Sequence, residues 1–349
     1  MNLDWDTDLI RPHLLTEMGD QDIVRSLKML RQTFTVSREG LEDYTRDIRL
    51  VMSYALVYAP TNIPKFHFLM QHLGCEEKSQ LLGSTFIDLG TGPGTYLLAF
   101  LEACGEGNKQ VHYGIDSSET MLEQAEAICR GIFPKRKTVF QKQLPRIEGP
   151  TTLCFGNSLN EMSVEAAFSI IKKVEPSYLI FIEPGTPEVF KKLMQLRGHL
   201  KNDQFEGLYP CPSGLSNCPM LEIEGEWCHQ VLRMIHRPGV ERLCQMAQMD
   251  RKIQPFTGHI YKRGTAVRKE LGARFIRFKG ENKHAFDWQV CLGAPHQVLD
   301  FEIPKKSLSK REQKEFKKLS VGLGVNYKVI KKLSDTKWRV EITQLADEK

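Results

Sequence analysis

The chain has 349 residues, 41% hydrophobic and 26% charged, with a formal net charge of +5. This is the composition of a globular protein able to bury a substantial core. No apolar stretch approaches the ~20 residues that span a bilayer. The start, with Asp4, Asp6 and Asp8, reads as neither a secretory signal nor an Arg-rich transit peptide. Nine cysteines, an odd count with no export signal, argue against a disulfide framework and for reduced thiols or metal ligands; a cytoplasmic location and a monomeric chain are expected.

Residues 1–80 predict a helical region. Ile23, Leu27, Leu30 and Phe34 recur at helical spacing, and Tyr54 to Leu73 continues the pattern past Pro60 and Pro64. This region is expected to pack on residues 81–200 as a lid or support. From 81 to 200 strand and helix alternate, with strands at 85–89, 111–115, 137–141, 151–156 and 177–183, as in a doubly wound parallel α/β sheet. The run Tyr178-Leu179-Ile180-Phe181-Ile182 is almost wholly apolar, as expected for a central strand covered on both faces. It ends in Glu183-Pro184-Gly185-Thr186-Pro187, which puts a carboxylate and a turn at the ligand-binding edge.

The first of these strands runs into Ile87-Asp88-Leu89-Gly90-Thr91-Gly92-Pro93-Gly94-Thr95. A Gly-rich turn between strand and helix lets the backbone approach a ligand, with helix amides aimed at it. The next strand ends in Asp116, at the distance where an acid accepts hydrogen bonds from a ribose diol. The G-x-G-x-G spacing differs from a dinucleotide site, and a carboxylate at Asp88 would repel a pyrophosphate while suiting an ammonium-bearing ligand. These residues resemble the first motif of the class I S-adenosylmethionine-dependent methyltransferases, which have a Rossmann-like fold. The resemblance implies Asp88 near the methionine end, Gly90, Thr91, Gly92 and Gly94 around the cofactor, and Asp116 on the ribose. Asn157, at the end of the fourth strand, joins the cofactor-site candidates, although a helix cap is its simpler role. The segment Gly156-Asn157-Ser158-Leu159-Asn160-Glu161 lacks the Pro-Pro-aromatic turn of amino-methylating base methyltransferases. Glu183 reads as either a base or a polar strand end.

Residues 201–284 form an expected insertion, and 285–291 with 296–303 an expected hairpin closing the core sheet. The insertion carries Tyr209-Pro210-Cys211-Pro212, Cys218-Pro219 and Trp227-Cys228-His229. Proline after two of the cysteines stiffens loops that could present thiolates to a metal. Three thiolates leave a fourth position, for Cys291, Cys244 or His229; the hairpin end favours Cys291. Thiolate ligation serves zinc or an iron–sulfur cluster. Cys75, Cys104, Cys129 and Cys154 read as core residues.

The glycine motif, the Glu-Pro-Gly-Thr-Pro strand end, the cysteine spacing and the Trp-Cys-His triplet together resemble the methyltransferase-like proteins of the small ribosomal subunit, across roughly residues 50–303. That resemblance implies a cluster, of 4Fe–4S type, on Cys211, Cys218, Cys228 and Cys291, and binding to small-subunit ribosomal RNA. The charge agrees: residues 201–349 hold 27 Lys and Arg against 18 Asp and Glu, and residues 1–200 hold 21 against 25. A helix after Trp227 is expected to align His229, Arg233, His236 and Arg237. Residues 304–349 form a basic extension with Lys305, Lys306, Lys310, Arg311, Lys314, Lys317 and Lys318, and two β-like runs near 325–330 and 337–343. Such residues can bind phosphates. Two functions stand: methylation of an rRNA base, or small-subunit assembly without turnover. The alternative is a zinc-containing methyltransferase of a small molecule or another RNA.

Overall fold

The computed structural model describes residues 3–35, 44–214, 217–264, 272–316, 319 and 321–345. Five strands, β1 (Thr85–Leu89), β2 (Val111–Ile115), β3 (Lys137–Gln141), β4 (Thr151–Gly156) and β5 (Tyr178–Pro184), pair in parallel in the order β3-β2-β1-β4-β5. The expected strands are all present. Beyond β5 come β6 (Phe205–Tyr209) and β8 (Ile253–Arg263), with β8 antiparallel between β5 and β6. The short β7 (Gln230–Arg233) adds to β8.

This corrects the expected end of the sheet. The closing pair is β6 and β8, so the cysteine loop is an insertion of residues 210–252 within that pair. The hairpin of 285–303 lies elsewhere. It supplies β10 (Ala285–Leu292) and β11 (Val298–Pro304) to a closed barrel with β9 (Ala273–Glu281), β12 (Gly324–Lys332) and β13 (Lys337–Leu345). The barrel has its own core, around Phe275, Trp288, Phe301, Phe316 and Val340. The two late β-like runs are thus its last strands. The helix expected after Trp227 is also absent: Gln230–Arg233 is a strand, and the helix begins only at Pro238, where proline suits a first turn.

Helices cover both faces of the sheet. On one side lie Thr95–Ala103 and Glu119–Ile132 with the N-terminal region, and on the other Val164–Val174 and Pro187–Asn202. The N-terminal region is helical as expected: α1 (Asp20–Thr35), then α2 (Ile48–Ser53), a π-helical turn at Tyr54–Tyr58, and α3 (Ala59–Gln71). Pro64 inside α3 removes a backbone donor, and the Thr61 hydroxyl donates to the carbonyl oxygens of Val57 and Tyr58, at 2.9 and 3.1 Å. The wide turn stacks Tyr54 on Tyr58, with ring centroids 5.0 Å apart. Side chains from residues 3–6 fasten this region. Trp5 Nε1 donates to Glu102 at 2.6 Å, and the Asp6 carboxylate caps the helix Pro238–Met246 by accepting from the Gly239 and Val240 amides at 3.0 and 2.8 Å. Among the described residues no helix is long and apolar enough to cross a membrane.

Candidate functional site

The turn after β1 is built by its glycines and one buried acid. Gly90, Gly92 and Gly94 have φ of +69°, +51° and +89°, values that side-chain-bearing residues rarely adopt. A Cβ on Gly90 would also lie 2.6 Å from that of Ser158. Asp88 is fully buried, and its Oδ2 accepts from Thr91 Oγ1 at 2.8 Å and from the Leu97 amide at 3.1 Å. Its Oδ1 is buried with no partner among the described residues. Burial pushes this carboxyl up to about 7. An orphaned carboxylate oxygen beside a Gly-rich turn fits a ligand with a cationic group.

Asp116 closes the other side. Its Oδ2 accepts from the Gly92 amide and its Oδ1 from the Ser118 amide, both at 2.9 Å. Burial holds its carboxyl above the usual range although these amides oppose the shift. Asn157 has a φ of +59°, and its amide donates to the Ile182 carbonyl at 2.9 Å. The next three amides, of Ser158, Leu159 and Asn160, all donate to the buried Glu183 carboxylate, at 3.0, 2.9 and 3.3 Å. Glu183 therefore anchors the β4 turn. Burial pushes its carboxyl up to about 8.

The N-terminal region packs on this part of the fold, as expected of a lid or support, but sequence reading did not single out the aromatic residues it sets there. Phe34, Tyr44, Tyr54 and Tyr58 form one aromatic cluster, with Phe34 edge-on to Tyr44 at 5.3 Å. The Arg251 guanidinium lies 4.2 Å from the Tyr58 ring centre. Ser118, two residues after Asp116, donates its hydroxyl to the Thr45 carbonyl at 3.0 Å. Tyr54 and Tyr58 stand at i, i+4, the one signal in the sequence. Lys65 on α3 is buried, and its amine is pushed down to about 7 by burial, then by Arg251, with Glu183 opposing.

The second site is thiol-lined. Cys211, Cys218 and Cys228 from the insertion and Cys291 from β10 border a single cavity, together with His229 and Arg274. Burial and the neighbouring thiols push Cys218 up to about 11 and Cys291 to about 12. Arg197, 4% exposed, donates to Cys211 Sγ at 2.9 Å and also bonds the Gly214 carbonyl. Arg274, 7% exposed, lies 4.5 Å from the Tyr209 ring centre and bonds the Gly322 carbonyl. Two buried cations beside four thiols fit a ligand set that becomes anionic on losing protons. As they stand, no three His, Cys, Asp or Glu side chains among the described residues are arranged to hold a metal ion. All nine cysteines are free, and Cys244 lies in the other core. Cys129 and Cys154 are buried as expected, Cys104 is partly so, and Cys75 opens a helix and is exposed, against expectation.

The basic residues fall on two parts of the fold. Arg233 is exposed on β7, and Arg237 pairs with Asp4. On the barrel side Lys305 pairs with Glu281 at 2.6 Å, while Lys306, Lys310, Arg311 and Lys314 are exposed. Lys317 and Lys318 lie outside the described residues.

Parallel strands in the order 3-2-1-4-5, ended by an antiparallel strand and joined to a glycine turn and an acid at the end of β2, define the class I S-adenosylmethionine-dependent methyltransferase fold. Residues 51–305 match the profile of the family described as mitochondrial small ribosomal subunit Rsm22, and the chain belongs to that family. No curated protein matches it. Among solved structures, the chain is similar to a proposed RNA methyltransferase of Pyrococcus horikoshii, with 10% identity, 59% of this chain and 86% of that one covered, and a TM-score of 0.37. A methyltransferase of Aquifex aeolicus shares 22% identity over 42% of this chain and 90% of its own, with a TM-score of 0.31. A proposed class I methyltransferase of Listeria monocytogenes shares 10% over 72% and 71%, with a TM-score of 0.37. At these scores the fold rests on the strand order itself.

Proposed function

We propose that this protein binds S-adenosylmethionine at the β1 turn, carries a thiolate-ligated iron–sulfur cluster, and acts on ribosomal RNA of the small subunit during its assembly. The observation that carries the reading is the convergence of Cys211, Cys218, Cys228 and Cys291 on one cavity, with Arg197 and Arg274 buried beside them. These four cysteines come from two separate parts of the fold, and a shared structural core alone gives no reason for that. The family membership supports the subunit as partner.

S-adenosylmethionine, when bound, supplies an electrophilic methyl group. Asp88 would receive its ammonium end, Asp116 its ribose, and the open backbone of Gly92 would let it approach. The four cysteines would hold the cluster, of 4Fe–4S type, and the two arginines would offset its negative charge. The β4 turn argues for assembly without turnover, because its amides are engaged by Glu183 and it offers no aromatic side chain to stack a base.

Anaerobic purification with iron, sulfide and zinc analysis tests the centre. About four iron and four sulfide per chain are expected in the parent, with loss of both in Cys218→Ser and Cys291→Ser. Zinc in their place would replace the cluster with the zinc reading. Absence of all three would overturn the metal site. Labelled cofactor incubated with immature small subunits separates the two activities: methyl transfer to RNA would overturn the assembly-only reading.

A further inference from the structure

The barrel has a topology that neither the glycine turn nor the cysteine site explains. Numbered from its own first strand, β9 to β13 run in the closed order 1-2-3-5-4. The contact between its third and fifth strands, β11 and β13, is parallel, while the other four are antiparallel. A helix, Lys310–Phe316, lies between the third and fourth strands, and its Phe316 enters the barrel core. This is the Greek-key arrangement of the OB-fold, whose second and third strands and 1–2 and 4–5 loops bind oligonucleotides.

The strand face is taken here. On the outside of β10 and β11, Cys291 and Val298 pack towards the methyltransferase core. Lower down, Asp287 pairs with Lys337 at 2.7 Å, Asp300 with Lys279 at 2.7 Å and Glu302 with Arg339 at 2.6 Å. A face so covered and neutralised is a poor seat for a polyanion. The 4–5 connection is different. Residues 328–336 are exposed at nine consecutive positions and carry Lys328, Lys331 and Lys332 against Asp335 alone. Lys328 stands opposite Glu341 in the β12–β13 register, yet none of the three lysines has an ion pair among the described residues. Val329, Ile330 and Leu333 are exposed between them, at 39%, 53% and 38%. Across residues 272–345 the sequence has 16 Lys and Arg against 8 Asp and Glu, so this unit exceeds the net charge of the whole chain.

We propose that the barrel is a single-stranded RNA-binding module and that the β12–β13 hairpin makes its principal phosphate contacts, through Lys328, Lys331 and Lys332, with the apolar side chains between them packing on bases. The choice of RNA rests on the small-subunit reading above; the choice of a single strand rests on the barrel. β12 and β13 lie beyond residues 51–305, the part matched by the family. A hairpin that tracks phosphates without a dedicated base-reading face predicts binding that is tolerant of sequence and sensitive to salt.

The test is fluorescence anisotropy on the full chain, with a mixed-sequence single-stranded RNA of about 15 nucleotides, its duplex, and a small-subunit rRNA transcript. The triple variant Lys328→Ala/Lys331→Ala/Lys332→Ala should bind the single strand about ten-fold more weakly. Its salt slope should be shallower by about 2, since each lost phosphate contact on a single strand removes ~0.7. Lys135→Ala/Lys137→Ala, at the far edge strand, should bind as the parent does. Unchanged metal content and melting temperature in the triple variant would show an intact fold. Affinity within about two-fold of the parent, at the same salt slope, would overturn the hairpin assignment while leaving the rRNA reading in place if the transcript still binds. A parent chain that binds neither RNA would overturn both. Loss of small-subunit binding with RNA affinity kept would make the hairpin a protein-docking element and overturn the proposal.

Discussion

In the proposed cofactor site, Asp88 is the residue on which binding would turn most. Its folded carboxyl lies at about 7, against an ordinary value of 3.8, because burial disfavours its charge. For an acid raised in this way, the stabilising contribution is complete below the ordinary value and is lost as pH rises through 7. The ligand-free parent should therefore lose melting temperature between about pH 4 and pH 7, and Asp88→Asn should reduce that loss. A cationic ligand prefers the ionised form, so cofactor affinity by calorimetry should weaken as pH falls below about 7 in the parent and stay level in the variant. Matching pH profiles for the two proteins would refute this role. The acid, its glycines and Asp116 were legible because a strand, a turn and a helix are contiguous in sequence. Tyr44 and Tyr54 were not, since they reach the site only through the packing of a separate helical region.

At the scale of elements, the helix Pro238–Met246 receives no capping hydrogen bond from its own cap residue, Arg237, and Asp6 supplies one from far away in sequence. Burial alone would raise this carboxyl, but the Gly239, Thr7 and Val240 amides outweigh it and hold it below 3.8. Its contribution is present above 3.8 and lost as pH falls through the lowered folded value. Asp6→Ala should cost about 1 kcal/mol near neutral pH, seen as a melting temperature lower by ~2 °C. The deficit should shrink towards zero near pH 2; a deficit that persists there would point to packing instead of capping. The first five strands were readable because their apolar runs are bounded by turns. β8 was hidden by Pro255 and Gly258, turn residues inside a strand whose backbone partners lie far away in sequence. The hairpin β10–β11 was recognised as a hairpin, but alternating apolar residues serve a sheet edge and a barrel wall equally. Only the pairing partners decide between them.

Across the whole molecule, the barrel has a core of its own beside that of the methyltransferase sheet, and Cys291 is the thiol it brings to the cavity, alongside Arg274. Metal ligation there would join two units that could otherwise melt apart. Calorimetry of metal-loaded parent should give one transition, and the metal-stripped chain or Cys291→Ser should give two. Two transitions in the loaded parent would show that the centre stabilises the insertion alone. None of this coupling was readable from spacing, because the 62 positions between Cys228 and Cys291 pass through β7, β8 and β9 before returning.

The fastening of residues 3–6 has a consequence for how the protein is made. Asp6 is synthesised before its partner, and the amide it caps is 234 residues further along. Trp5 waits a shorter time for Glu102, 97 residues on. At ~5–20 residues per second, the first strap can close only after roughly 10–50 s of further synthesis. Trp5 and Asp6 are thus held in reserve while the segments between them and their partners are made. The parallel sheet can collapse around β1 to β5 while they wait, and their docking marks the arrival of the insertion behind it.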